Sequence, residues 1–334
     1  MKIDVNANYS IKLLEENRTR TDHRTYACND LMFTGKDLLD AIVFMGMLPS
    51  DINSKSVNVS RRDEIKFKRI LVEACLDVIP NNSTEYLVMK KSFFKYLDST
   101  EKGAIRYWIG MFFATLLARK EYRYEYVIHY SRFVNSNYCR MPIQPTTVPG
   151  SSIKPNSRST PDLITVKNNM KEYGVFEAKG YNRYNSKTME HAYDQVKRIG
   201  IVHNVKTSDN IVSFSVLNFT DNSIRFKDPL GEEKIEIDIY MALLWQYMPV
   251  IELLNEVGYE TVGEYNVLKS IDDNYSIKVR MNTYEIFNSL RERIEREPKE
   301  IIDNSSMDEI HEKIKSVIVD GKLGFEICEN YWTN

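Results

Sequence analysis

Two short runs of β-forming residues, Leu163 to Val166 and Val175 to Lys179, are joined by a polar stretch holding Asn168, Asn169 and Gly174. Asn and Gly accept the backbone angles of tight turns, so the pattern reads as a β-hairpin. Side chains alternate along a strand, which puts Glu177 and Lys179 on one face and Phe176 and Ala178 on the other. Phe176 and Ala178 are suited to a core. The two ionisable residues then share the opposite face, expected at the edge of the sheet. Asp162 begins the partner strand and is expected near Glu177 or Lys179.

The flanking segments complete a pattern from about 96 to 235. A helix is expected from Asp98, which caps it with Glu101 at capping-box spacing. Ile105, Trp108, Ile109, Phe112 and Leu116 give this helix an apolar face. A strand follows from Tyr124 to Phe133. A long Pro-, Ser- and Thr-containing loop then runs from about Asn135 to Thr160, and long loops inside a domain tend to be functional or linker segments. After the hairpin, a helix is expected from Thr188 to Ile199 and a strand from Ile211 to Phe219. Residues 1–95 read as a mostly helical accessory region, with an apolar block from Leu38 to Met47 and helical spacing from Arg62 to Val78. Residues 236–334 read as a second mostly helical accessory region, with helices expected at Met241 to Val257, Tyr284 to Glu297 and Met307 to Val319.

Composition narrows the class. The chain has 334 residues, 43% hydrophobic and 28% charged, with a net charge of −2. That balance suits a globular chain rather than a disordered one. Cys28, Cys75, Cys139 and Cys328 are scattered and the histidines form no cluster, which argues against a disulfide framework and a structural zinc site. The N-terminus lacks the apolar core of a secretory signal, and the apolar run from Ile105 to Ala118 is too short to span a bilayer. A cytoplasmic chain without a membrane partner is therefore expected. No P-loop and no G-x-S-x-G elbow is present.

The chemistry rests on Asp162, Glu177 and Lys179. Two converging carboxylates repel unless a cation lies between them, and Mg²⁺ is commonly held by one or two carboxylates plus water. A metal lowers the pKa of a bound water and stabilises charge on a phosphoryl group. A neighbouring ammonium adds electrostatic stabilisation. The run PDLITV followed by GVFEAKG resembles the PD-(D/E)xK nuclease superfamily, which includes many restriction endonucleases, exonucleases and Holliday-junction resolvases. The resemblance covers about a third of the chain. It implies an α/β (α+β) fold with a restriction-endonuclease-like core, a central mixed sheet flanked by helices, here with helical accessory regions at both ends. It also implies that Asp162 and Glu177 bind Mg²⁺ or Mn²⁺ and that Lys179 assists the attacking water.

By the same resemblance, Glu101 is a candidate further metal ligand, although it also fits the capping box; Glu121 and Glu125 are weaker alternatives. Met189, Ala192, Val196 and Ile199 form the expected buried stripe of the helix after Lys179, with His191, Gln195 and Arg198 on a polar face. Gln195 is the candidate there for contacting phosphate or positioning the site. Between Lys154 and Lys206 ten basic residues face five acidic ones. Lys154, Arg158, Arg183, Lys187, Lys197 and Arg198 are the candidate nucleic-acid contacts, and Tyr181 and Tyr184 are candidates for stacking on bases. The expected activity is a Mg²⁺-dependent nuclease, acting on DNA as an endonuclease, in restriction or anti-phage defence. A homodimer or a partner protein would supply recognition or activation. The alternatives are a non-catalytic nucleic-acid-binding or assembly subunit on the same fold, and a nuclease acting on RNA.

Overall fold

The computed structural model describes residues 1–16, 25–44, 60–81, 84–130, 161–197, 199–202, 205–228, 233–235, 239–269, 275–296 and 304–329. Among these residues the order is β1 (Asn8–Glu16), β2 (Thr25–Ala27), β3 (Leu31–Thr34), α1 (Gly35–Phe44), α2 (Arg61–Cys75), β4 (Leu76–Asn81), β5 (Thr84–Met89), α3 (Lys91–Phe94), α4 (Ser99–Lys120), β6 (Tyr126–His129), β7 (Leu163–Val166), β8 (Tyr173–Tyr181), α5 (Ser186–Lys197), β9 (Ile199–Val202), β10 (Val205–Lys206), β11 (Asp209–Val216), β12 (Ser223–Lys227), β13 (Glu233–Ile235), α6 (Ile239–Val257), β14 (Tyr259–Val262), β15 (Tyr265–Leu268), β16 (Tyr275–Arg280), α7 (Met281–Arg296), α8 (Asn304–Ser316) and β17 (Phe325–Glu329).

A ten-stranded mixed sheet organises the fold, in the order β4-β5-β1-β12-β11-β8-β7-β6, with β2 and β3 also paired to β1. The expected hairpin is β7 and β8, antiparallel, with Leu163 opposite Phe176 and Val166 opposite Tyr173. Before it, β6 pairs antiparallel with β7. After it, the chain crosses through α5 and returns as β11, parallel to β8. The mixed α/β class with helices flanking a large mixed sheet is therefore present.

The two accessory regions differ from expectation. Residues 1–95 are not mostly helical: they contribute β1, β4 and β5 to the main sheet, and β1 pairs in parallel with β12. The helix expected from Arg62 to Val78 stops at Cys75, and Leu76 to Asn81 becomes β4. The C-terminal region has its three expected helices but also a four-stranded sheet, β14-β15-β16-β17. β1 gains its hydrogen bonds from β5 and β12 and β16 gains some of its own from β17, distant partners of which local periodicity carries no trace; β4–β5 and β14–β15 are local hairpins within segments read as helical.

Helix α4 lies against β8, and its start is as expected. Asp98 accepts from the backbone of Glu101 at 2.8 Å while Glu101 accepts from the backbone of Asp98 at 2.8 Å. Its second half is not merely amphipathic, since every residue from Ile109 to Ala118 is buried. Close approach is made possible by small residues. Ala178 and Gly180 of β8 lie beside Ser213 and Ser215 of β11. A Cβ added to Gly180 would lie 1.9 Å from the carbonyl oxygen of Arg106, and one added to Gly110 would lie 2.9 Å from the nitrogen of Gly180. Both collisions are with backbone, which has little room to yield. Gly180→Ala is accordingly expected to destabilise the fold by about 3 kcal/mol, at the upper end for overpacking, as read by urea unfolding. A variant within a few tenths of a kcal/mol of the parent would show that helix and sheet separate freely.

Candidate active site

Strand register brings the acidic residues together. Leu163 faces Phe176 across the hairpin, so Asp162 falls across from Glu177. Tyr130 extends the pairing on the other side, donating its backbone N–H to the Asp162 carbonyl at 2.8 Å. Glu177 in turn lies beside Val212, and Val212 beside Lys227. A row of Asp162, Glu177, Val212 and Lys227 therefore crosses one face of the sheet. The opposite face carries Ala178 and Gly180 under α4. Helix α5 covers the row: Lys227 sits over the ring of Tyr193, 4.5 Å from its centre.

Contrary to the sheet edge expected from the sequence, Glu177 and Lys179 lie on an interior strand, because β8 has β7 on one side and β11 on the other. Glu177 is only 1% exposed. Burial without compensation would be costly for a carboxylate, and several groups compensate it. Glu177 Oε2 accepts from the backbone of Asp162 at 3.1 Å, and Oε1 is held by the Lys179 ammonium. Asp162 Oδ2 accepts from the backbone of Ala178 at 2.9 Å. Each carboxylate is thus tied to the strand that carries the other.

The electrostatics remain unbalanced. Burial, reinforced by the nearby Asp162 carboxylate, pushes Glu177 up to about 8, against the pull of Lys179. Burial also raises Asp162, with Lys179 and the Ala178 N–H opposing. For Lys179, burial works against the ammonium, but Glu177 and Asp162 outweigh it and hold its pKa above the ordinary value. If both carboxylates were ionised against one ammonium, an excess negative charge would sit in a poorly solvated place, which is why Glu177 keeps a proton unless a cation takes that proton's place. Such an oxygen donor set suits a hard divalent cation, with waters completing its coordination. Among the described residues no group of three or more His, Cys, Asp and Glu is gathered, so from these residues such an ion would draw on the two carboxylates.

The other sequence candidates separate clearly. Glu101 is exposed and engaged in the α4 cap. It precedes Gly110, where α4 meets Gly180, by nine residues, or about 13 Å of helix. The fold therefore does not bring it to Asp162 and Glu177. Glu121 is exposed at the C-cap of α4, and Glu125 lines a separate charged cavity with Asp37, Asp40 and Arg119. Gln195 belongs to the buried face of α5 with Met189, Ala192 and Val196, not to its exposed side, and is 7% exposed. Helix α5 packs that face on β8 and β11. His191 is exposed. Arg183 and Lys187 are exposed after the end of β8, and Lys197 is half-buried. Lys154, Arg158 and Arg198 lie outside the described residues.

Sequence reading missed Lys227, which joins the row only through pairing with β11, and Tyr130, whose backbone N–H reaches Asp162 just past the end of β6. Tyr130 is buried, its hydroxyl has no hydrogen-bond partner among the described residues, and burial raises its pKa to about 12. Nothing local in the sequence marks either residue. Among the described residues no helix is long and apolar enough to cross a membrane. No family model, curated protein or solved structure matches the chain.

Proposed function

We propose that the chain is a Mg²⁺- or Mn²⁺-dependent nuclease of the PD-(D/E)xK type that hydrolyses phosphodiester bonds in DNA. The observation that carries this reading is the joining of Asp162 and Glu177 across the hairpin, with Lys179 held on the same face of a central strand. A strand interior with no chemical task would ordinarily be apolar on this face, as Val175 is. The connectivity adds support. A helix, a three-stranded antiparallel meander, a covering helix and a parallel strand follow one another as the resemblance implies.

Asp162 and Glu177 would hold the cation. When bound, the ion would activate water and stabilise charge on the phosphoryl oxygens. The chain's own residues do the rest. Lys179 places an ammonium where negative charge grows during phosphoryl transfer. Hydrogen bonds from the backbones of Asp162 and Ala178 fix the carboxylates before any substrate arrives. Gln195 is proposed to position the site from beneath α5, and Arg183, Lys187 and Lys197 to attract phosphates. Restriction or anti-phage defence, with a second copy or partner protein supplying recognition, is the biological setting proposed for such an activity.

A second reading has its own observation in favour. The Lys179 ammonium already neutralises Glu177, an arrangement that holds together without a metal. A non-catalytic nucleic-acid-binding or assembly subunit would be content with it. The two readings part on one assay. The purified chain is incubated with supercoiled plasmid, linear duplex, single-stranded DNA and RNA, in Mg²⁺, Mn²⁺ or EDTA. Metal-dependent cleavage is expected, and the product pattern separates nicking from double-strand cutting. Absence of cleavage on every substrate, together with no effect of metal on melting temperature, favours the binding subunit.

A further inference from the structure

We propose that Tyr181 is a stacking platform for an unpaired base beside the scissile phosphate, so that the site takes single-stranded nucleic acid or a duplex with an unpaired nucleotide at the cut. The inference rests on the nuclease reading and supplies its substrate class.

Tyr181 ends β8, two residues beyond Lys179 and therefore on the same face. Two strand residues span about 7 Å, within one nucleotide's reach of a phosphate held at Lys179. The Tyr181 ring stacks on Phe214, with centroids 5.4 Å apart and planes 19° from parallel. Phe214 is fully buried and lies directly beside Lys179 in the register. The support is thus rigid and belongs to the central sheet.

The two tyrosines of this segment have different fates. Tyr184 meets Phe214 edge-on and carries the Arg225 guanidinium 4.4 Å above its ring, with Arg225 in turn bonded to Glu16 at 3.0 Å. Its ring is engaged in packing. Tyr181 is backed by Phe214 yet remains 42% exposed. A flat aromatic surface on a fixed support, next to an ammonium, matches a nucleobase attached to its phosphate. Bases inside a duplex are paired and already have stacked neighbours, so stacking of this kind selects unpaired bases and tolerates any sequence.

The test uses the full chain and synthetic oligonucleotides carrying 2-aminopurine. Affinity for a single strand and for a blunt duplex is measured by fluorescence in EDTA, then cleavage in Mg²⁺. Wild-type protein is expected to favour the single strand and to quench the fluorescent base. Tyr181→Ala should weaken single-strand binding by about 10-fold and leave duplex binding unchanged, while Tyr181→Trp retains it. Tyr181→Leu keeps apolar bulk without the π face, so it reports the same loss if the alanine variant folds poorly. Equal single-strand affinity in the wild-type and Leu proteins overturns the proposal, as does a wild-type preference for blunt duplex. Stacking lost in the variants of a protein that cleaves nothing upholds the platform and sinks the nuclease reading. Cleavage by a protein indifferent to residue 181 does the reverse.

Discussion

Lys179→Met is expected to lower metal-dependent cleavage by on the order of 10²- to 10³-fold, the usual loss when one preorganised electrostatic partner of a transition state is removed. Lys179 is the ammonium held to Glu177 on the face that also carries Asp162. Its register neighbour on β11 is Phe214, and no other lysine or arginine on the described strands lies directly beside it. Lys227 packs over Tyr193 and Arg225 is engaged by Glu16. Lys179→Arg should recover part of the rate, because the charge is kept but its shape is changed. Asp162→Ala should fall as far and differ in kind, losing the rise in melting temperature that Mg²⁺ gives as well as the rate. Single-turnover cleavage at saturating Mg²⁺, paired with thermal melts, reads both. A Lys179→Met protein that cuts at the wild-type rate would remove this residue from the mechanism.

The metal-free protein is expected to lose stability as the pH rises from about 5 to about 8. Burial and Asp162 raise Glu177 from an ordinary 4.5 to about 8. Between those values the folded chain holds a proton that the unfolded chain has released. Raising the pH therefore favours the unfolded state, and the contribution is fully present only below the unfolded pKa. Asp162 is shifted in the same direction and adds to the slope at the acidic end. Lys179 acts with the opposite charge. Its raised pKa lends stability that disappears only as the pH climbs through the folded value, above the ordinary 10.5 and outside this window. A few kcal/mol are at stake. Glu177→Gln should flatten the profile and exceed the parent in stability at pH 8. A divalent cation should stabilise the parent more at pH 8 than at pH 5, where it must compete with protons. Chemical denaturation across pH measures all of this, and an unchanged slope in Glu177→Gln would place the titrating group elsewhere.

The sequence by itself determined the hairpin, the pairing of Asp162 with the Glu177 strand, the facing of Glu177 with Lys179, and the capped start of α4. These follow from turn chemistry, a period of two and a capping box, all of which act over a few neighbouring residues. Its apolar stripes also located α5, α6 and α7 to within a few residues. Beyond that reach the fold decided. Strands β4 and β5 form a local hairpin masked by helical spacing that runs on from Arg62 to Val78, whereas β1 was hidden because its partners β5 and β12 lie far along the chain. The interior position of β8 was hidden for the same reason: one strand cannot show what lies on both of its sides. Gln195 lies at polar spacing with His191, yet α5 packs with Gln195 turned inward, because the helix must cover both β8 and β11. Glu101 carries an acid at a plausible spacing, but nine helical residues keep it from Gly110 and Gly180. The choice between Tyr181 and Tyr184 was likewise left to packing. Phe214 and Arg225 come from other strands, and only their arrival makes one ring a structural filler and leaves the other exposed beside the lysine.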